Sequence, residues 1–302
     1  HLVDNGLVMY NPESDRYFLH EMVREYLENH INKVEYAAGL SRHASYFLTV
    51  VSAANDLYGQ GDEGILKALN LVDMEWGNIQ AGFAWAERLT GKDGSATKLC
   101  SSYVETGYSL LKMRLRSAAR LKWLESALKA SNILQDKEAE MSHLLSLGLE
   151  HGGKGSHSQS IDYFQQALAL AKELDNKGDE GVALRHLGIA YAATGDTARA
   201  LEYHQQEMYL ARSRGDKSAE SKAATSLGKV HKRAGDFAQA IEFYQLRLTI
   251  AREENDERAE GQTLKAIADI QMETKSDLAP IIDGYTRAFK IFQKIKDFNS
   301  QG

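Results

Sequence analysis

The sequence predicts an all-α solenoid of paired helices with one short β-hairpin near its N-terminal end. A repeat carries the first part. Gly148, Gly188 and Gly228 lie 40 residues apart, and so do Gly155, Gly195 and Gly235. Tyr163, Tyr203 and Phe243 keep the same step, as do Ala171, Ala211 and Ala251. Self-similarity at a fixed period marks stacked supersecondary units, which build a long surface rather than a closed pocket. Composition agrees, with 43% hydrophobic residues and only two prolines in 302. The exception is a pair of apolar-aromatic segments, GLVMY and RYFLH, on either side of the turn-rich NPESD.

Taken in order, residues 7–10 and 16–19 are expected to pair as a β-hairpin, the only β structure in the chain. HEMVREYLENHI then follows as a helix beginning near His20. These residues resemble the end of the winged-helix domain in STAND-type signalling ATPases, the NB-ARC relatives. There a hairpin ending in Tyr-x-Leu-His precedes a helix containing Arg-Glu-Tyr, and Tyr17, Leu19, His20, Arg24, Glu25 and Tyr26 match. Next, RHASYFLTVVSAAN and LVDMEWGNIQAGFAWAERL resemble the helical connector that joins such ATPases to their repeats. Glu75, Asn78, Ile79, Ala81, Trp85 and Ala86 carry that likeness. From the residues alone, Trp76, Ile79, Phe83 and Ala86 form one apolar stripe suited to a core. GKDGSAT, residues 91–97, is the expected break before the repeats. The expected domains are a winged-helix remnant at 1–34, a helical connector at 35–94 and a solenoid of about five hairpins at 95–302.

The cleanest repeat runs from Glu180 to about Arg214. Leu184, Leu187, Ile189 and Tyr191 are spaced for one helix, and Ala200, Leu201, Tyr203, Met208, Leu210 and Ala211 for a second. Gly195 is placed to end the first helix with positive φ, and Asp196 or Thr197 to cap the next. The order Leu187-Gly188, Tyr191, Gly195, Ala200 resembles the tetratricopeptide repeat. Leu227-Gly228, Gly235, Ala240 and Tyr244 repeat it, with His231 in the tyrosine slot. Leu147-Gly148, Gly155, Phe164 and Ala167 repeat it again, with Ser160 in place of the central alanine. The long period is similar to the repeats of kinesin light chains and bacterial signalling ATPases. Upstream, LKWLESALKASNILQD reads as a second helix, whose partner is expected at about 96–113. Downstream, AEGQTLKAIADIQMETK and APIIDGYTRAFKIFQKIKD read as one further pair, with one residue inserted before Tyr285.

Composition limits the function classes. A net charge of −6 gives no bulk attraction to nucleic acid. Cys100 is the only cysteine, which excludes a disulfide framework and suits a reducing cytoplasm. No run approaches the ~18 apolar residues of a membrane span, and no signal-peptide pattern opens the chain. The pattern already under way at His1 is expected of a fragment of a larger protein. GLEHGGKGS approaches a phosphate loop through Gly148, Gly153 and Lys154, but Gly155 replaces the hydroxyl residue that magnesium needs. His143, His151 and His157 share a repeat without the spacing of metal ligands on one helix face. His186 and His204 are expected to face different sides of their hairpin. No catalytic constellation stands out, so the expectation is no enzyme, no cofactor and no metal.

The tetratricopeptide resemblance implies an inner, concave surface made by the first helix of each pair. That places Ser142, Leu145, Leu149, Gly152 and Gly153 there, followed by Val182, Arg185, Ile189, Ala192 and Ala193. Lys222, Thr225, Lys229, Lys232 and Arg233 come next, then Gln262, Lys265, Asp269, Met272 and Glu273. An acidic chain thus concentrates Arg185, Lys222, Lys229, Lys232, Arg233 and Lys265 on one face, beside Ile189. A solvated basic face is the plain reading. A groove for an acidic or carboxylate-bearing peptide is the functional one. The asparagine that some family members use to hold chaperone tails is replaced by Ile189 or Lys229. Glu207 and Arg247 occupy the slot that Ala167 fills one repeat earlier, and are expected to pair across the repeat boundary. The resemblance implies a protein-interaction and sensor region of a STAND-type ATPase, with the ATPase domain upstream. The partner is then a protein or peptide, with neither nucleic acid nor membrane. The alternative is a free-standing scaffold or cargo adaptor of the kinesin-light-chain type.

Overall fold

The computed structural model describes residues 8–11, 16–19, 21–30 and 32–300. Strands β1 (Val8–Asn11) and β2 (Arg16–Leu19) pair antiparallel, with Met9 opposite Phe18 and Tyr10 opposite Tyr17. They are the only strands among the described residues, as the sequence predicts. Leu7 and His20, which the sequence places in the hairpin and at the helix start, lie outside the described residues. Internal contacts divide the chain into two compact units, 1–116 and 117–302. The division falls later than the turn at 91–97.

In the first unit, α1 (Glu21–His30) follows the hairpin. Helices α2 (Lys33–Tyr58), α3 (Asp62–Leu89) and α4 (Gly94–Arg114) pack on one another. The helix expected to begin the repeats, at about 96–113, is α4. The stripe read from the sequence is core: Ile79, Phe83 and Ala86 are buried and Trp76 is half-buried. Tyr103 donates its hydroxyl to the carbonyl of Ala44 at 2.7 Å, and burial pushes its phenol pKa up.

In the second unit, α5 (Ser117–Leu134) precedes four hairpins: α6 (Lys137–Gly153) with α7 (His157–Glu173), α8 (Lys177–Thr194) with α9 (Thr197–Ser213), α10 (Lys217–Ala234) with α11 (Phe237–Glu253), and α12 (Glu257–Glu273) with α13 (Leu278–Ser300). Each helix packs on the next in sequence, and α8 also touches α6 and α10.

One junction is used throughout this unit. A left-handed residue recurs every 20 positions, at Gln135, Gly155, Asp175, Gly195, Gly215, Gly235, Asn255 and Lys275, with φ between 50° and 86°. The residue after each donates its N–H to the carbonyl five places back, at 2.8–3.0 Å, closing the preceding helix. At Asp136, Asn176, Asp196, Asp216, Asp236 and Asp256, the side chain of that residue also accepts from the amide three places on. One residue therefore ends one helix and caps the next. The 40-residue period is two such half-steps.

Packing within hairpins rests on rings laid against glycines. A Cβ added at Gly148, Gly188 or Gly228 would sit 2.6–2.9 Å from the ring of Phe164, His204 or Tyr244, closer than any side chain tolerates. A second layer stacks His151 on Tyr163, Tyr191 on Tyr203 and His231 on Phe243, with centroids 5.3–5.5 Å apart. Leu147, Leu187 and Leu227 are fully buried beside these contacts. Among the described residues, no helix is long and apolar enough to cross a membrane.

Two outcomes follow from these placements. Leu187→Ala and Leu227→Ala should each lower unfolding free energy by ~2–5 kcal/mol, because neighbouring helices collapse only partly into the cavity. Gln135→Gly should raise it by ~1 kcal/mol, by removing the left-handed penalty of a side chain. Urea unfolding of the full chain measures both.

Candidate partner-binding face

Helices α6, α8 and α10 lie side by side, and their inward residues line two adjoining depressions. The first, of about 240 Å³, lies among α6, α7 and α8. Gly148, Leu149, Gly152 and Gly153 form one wall, Ile189 and Ala193 the other, with the Phe164 ring, stacked on His186 with centroids 5.1 Å apart, also in its lining. The second lies between α8 and α10 and shares Ile189 and Ala193 with the first. Its far wall carries Lys229, Val230 and Arg233, and His204 lines it as well. The face thus changes from small and apolar to basic in one repeat step. Slots that hold Gly152 and Gly153 hold Ala192 and Ala193 in the next repeat, then Lys232 and Arg233.

The structure treats the predicted basic residues differently from one another. Arg185 donates to Glu207 at 2.6 Å, and Arg233 donates to the carbonyl of Ala192 at 2.7 Å. Lys232 lies 3.5 Å from Glu273, and Lys265 lies 3.1 Å from Asp269. Asp269 also accepts from the Tyr285 hydroxyl at 2.7 Å, and these partners hold its carboxyl below its usual range despite burial. Lys222 and Lys229 are exposed and have no ion-pair partner among the described residues. Ile189 is 48% exposed, an apolar side chain left bare at the boundary between the two depressions. The basic concentration read from the sequence therefore keeps Lys222, Lys229 and Arg233 with charges that no ion pair matches among the described residues, beside an apolar ridge.

The expected pairing of Glu207 with Arg247 does not occur. Glu207 is 1% exposed, and its carboxylate is engaged within its own hairpin by Arg185 and by His204, whose Nδ1 lies 3.1 Å away. Arg247 donates instead to Gln262 at 3.0 Å, and burial pulls its guanidinium pKa down. The reason is reach. Arg185 stands across the hairpin on α8, whereas Arg247 is a full repeat further on. Adjacent repeats are linked instead by Arg212 with Glu220 at 2.8 Å and Arg252 with Glu260 at 2.7 Å, again 40 residues apart, and by Lys232 with Glu273. His186 lines the first depression, stacked on Phe164, and His204 lines the second, so the two face different sides of their hairpin. Burial is the main cause lowering the His186 pKa, and Arg185 and His204 add to it.

The remaining decoys are explained by the fold. Gly148 to Gly153 lie inside α6, not in a loop between a strand and a helix, and Gly155 takes the left-handed turn. His143 is buried in α6, and burial pulls its pKa down to about 4. Among the described residues, no group of three or more His, Cys, Asp or Glu side chains could hold a metal ion.

Removing one member of the Arg185–Glu207 pair isolates a buried charge. Arg185→Ala should cost ~3–5 kcal/mol, and less in a Glu207→Ala background, since Ala167 already shows that alanine fits that slot. Glu207→Ala and Arg247→Ala should combine additively within ~0.5 kcal/mol. Double-mutant cycles in denaturant test both statements.

Residues 140–213 and 179–253 match the tetratricopeptide-repeat family. No curated protein matches the chain. Among solved structures, the nearly identical repeats of a kinesin light chain from Podosopora anserina superpose with a TM-score of 0.54 at 15% identity, over 71% of this chain and 98% of theirs. BtubC from P. vanneervenii gives 0.50 at 18% identity, over 72% of this chain and 92% of its own. A signal-transduction ATPase with a tetratricopeptide-repeat sensor from Pyrococcus horikoshii aligns with 97% of this chain and 51% of its own at 17% identity. Its TM-score of 0.43 carries no inference. The second unit is a tetratricopeptide-repeat superhelix, and residues 140–253 carry the repeats that define it.

Proposed function

We propose that the repeats bind a protein or peptide partner along the face formed by α6, α8, α10 and α12, as the sensor region of a STAND-type signalling ATPase. The observation that carries the binding reading is the graded groove. An apolar depression walled by Gly152, Gly153 and Ile189 adjoins a basic one carrying Lys229 and Arg233. An extended segment lying across it would place an apolar side chain at the first and an acidic one at the second. The two free lysines favour an acidic segment by charge complementarity. The sensor role rests on the N-terminal sequence, where the hairpin and following helix resemble the end of a winged-helix domain. Glu25 and Tyr26 of that pattern lie on α1, and Ile79, Trp85 and Ala86 of the connector pattern are buried in α3. The buried thiol of Cys100 suits a cytoplasmic setting.

The test is affinity capture by the immobilised full chain from lysate of the source cells, beside a Lys222→Glu/Lys229→Glu variant. Partners retained by the parent and lost by the variant, at unchanged melting temperature, are expected. Identical capture by both would exclude this face. The coding sequence before His1 tests the ATPase assignment. A phosphate-loop motif there is expected, and its lack would favour the scaffold alternative.

A further inference from the structure

The repeat boundaries after α7 and α9 are made in the same way. The outward row of a second helix is covered by the first helix that follows it. Leu168 and Ala171 of α7 are buried in one cluster with Ala183, Leu184 and Leu187 of α8, and Met208 of α9 in another with Ala223, Ala224 and Leu227 of α10. The same row continues on α13, one residue out of step. Phe289 stands in the slot of Leu168, Met208 and Leu248, and Phe292 in that of Ala171, Ala211 and Ala251. Leu168 and Met208 are 9% and 5% exposed, whereas Phe289 is 67% exposed. Leu278 and Ile282 of the same row are exposed as well.

This row is a seam. Leu278, Ile282, Tyr285, Phe289 and Phe292 follow one another at alternating steps of four and three, the spacing at which one helix takes another along its length. The seam is held in place from behind. The Tyr285 hydroxyl donates to Asp269 at 2.7 Å, and the Phe292 ring lies against Gly261, where an added Cβ would come within 3.1 Å of it. Lys296 is the next member at the same step, and Asp277 precedes Leu278 at the other end. Both are exposed, and neither has an ion-pair partner among the described residues.

We propose that this seam is a dimer interface, in which α13 pairs with α13 of a second copy, antiparallel about a two-fold axis. The charges at its ends select this occupant. A register with Ile282 opposite Phe292 and Tyr285 opposite Phe289 sets Leu278 opposite Lys296. The stem of Lys296 then lies over the second copy's Leu278, and its ammonium reaches the second copy's Asp277, twice in each dimer. A parallel pair would set Asp277 against Asp277 and Lys296 against Lys296. A two-fold contact uses one patch twice, so the apolar row needs no foreign complement. One helical seam is small for an interface, which puts the association in the micromolar range. The seam uses none of the side chains assigned above to the partner face, and a dimer carries two such faces, which raises avidity for a partner that can engage both.

Sedimentation equilibrium of the full chain tests this, at protein concentrations from about 1 to 100 µM. The weight-average mass is expected to rise toward twice that of one chain. Phe289→Glu should hold it at one chain throughout, with an unchanged melting temperature at the lowest concentration, since changing an exposed side chain costs the monomer little. Ile282→Glu carries the same test should Phe289→Glu fail to fold. Asp277→Lys and Lys296→Asp should each raise the dissociation constant about threefold or more at low salt, because two attractions become two repulsions, and the double variant should restore it. Single changes without effect overturn the antiparallel register. A chain that stays monomeric at about 100 µM, or a dimer that both Phe289→Glu and Ile282→Glu leave intact, overturns the proposal. In a monomeric chain, NMR signals of α13 shifted by a peptide of residues 217–235, itself a first helix, would assign the seam to a foreign helix instead. No natural partner enters the measurement. Failed capture from lysate therefore sinks the functional reading alone, and a failed dimer sinks this one alone.

Discussion

In three of the four hairpins an aromatic ring is pressed on a glycine of the facing helix. Phe164 on Gly148, His204 on Gly188 and Tyr244 on Gly228 leave no room for even a methyl group. This contact sets how near the two helices of a hairpin approach, and with it the depth at which Leu147, Leu187 and Leu227 are buried. It also limits what the exposed side of the first helices can carry. With the ring occupying the inner space, the size of the outward-facing neighbours along the helix decides whether the surface is a ridge or a depression. Gly152 and Gly153 leave a depression, and Ile189 makes a ridge.

The contact also explains why polar side chains are tolerated so deep in the central repeat. A histidine ring is flat enough to serve against Gly188, but it brings ring nitrogens that need partners once buried. Glu207 satisfies one, and the charge of Glu207 in turn requires Arg185. One substitution in the packing slot thus goes with two others, and the result is a buried ion pair beside the face where a partner would lie. The repeats on either side meet the same packing need with the rings of Phe164 and Tyr244.

Much of this was legible in the sequence. The 40-residue glycine spacing identified the repeats, because left-handed turns and ring contacts each demand glycine at a fixed place. The aromatic segments around NPESD identified the hairpin, and the apolar stripe of Ile79, Phe83 and Ala86 a core helix. The sequence missed the finer half-step of 20 residues, since Gln135, Asp175, Asn255 and Lys275 adopt the left-handed conformation without being glycine. The Asp or Asn that follows Gln135, Asp175 and Asn255 was the signal available for it.

Local periodicity is thus what the sequence by itself determined: the paired helices, the glycine turns between them and their apolar stripes. These depend on contacts within a few residues, and a helical period exposes them directly. Only the tertiary structure decided which charges meet. Arg185 and Glu207 are 22 residues apart and on different helices. Glu207 and Arg247 share a slot in adjacent repeats and yet do not pair. Lys232, Arg233 and Lys265 count as a basic cluster in the sequence, but each has a neighbour that accepts its charge or its hydrogen bond. Partner choice among long side chains is set by reach and direction across helix interfaces, to about an ångström, and no spacing along the chain encodes it.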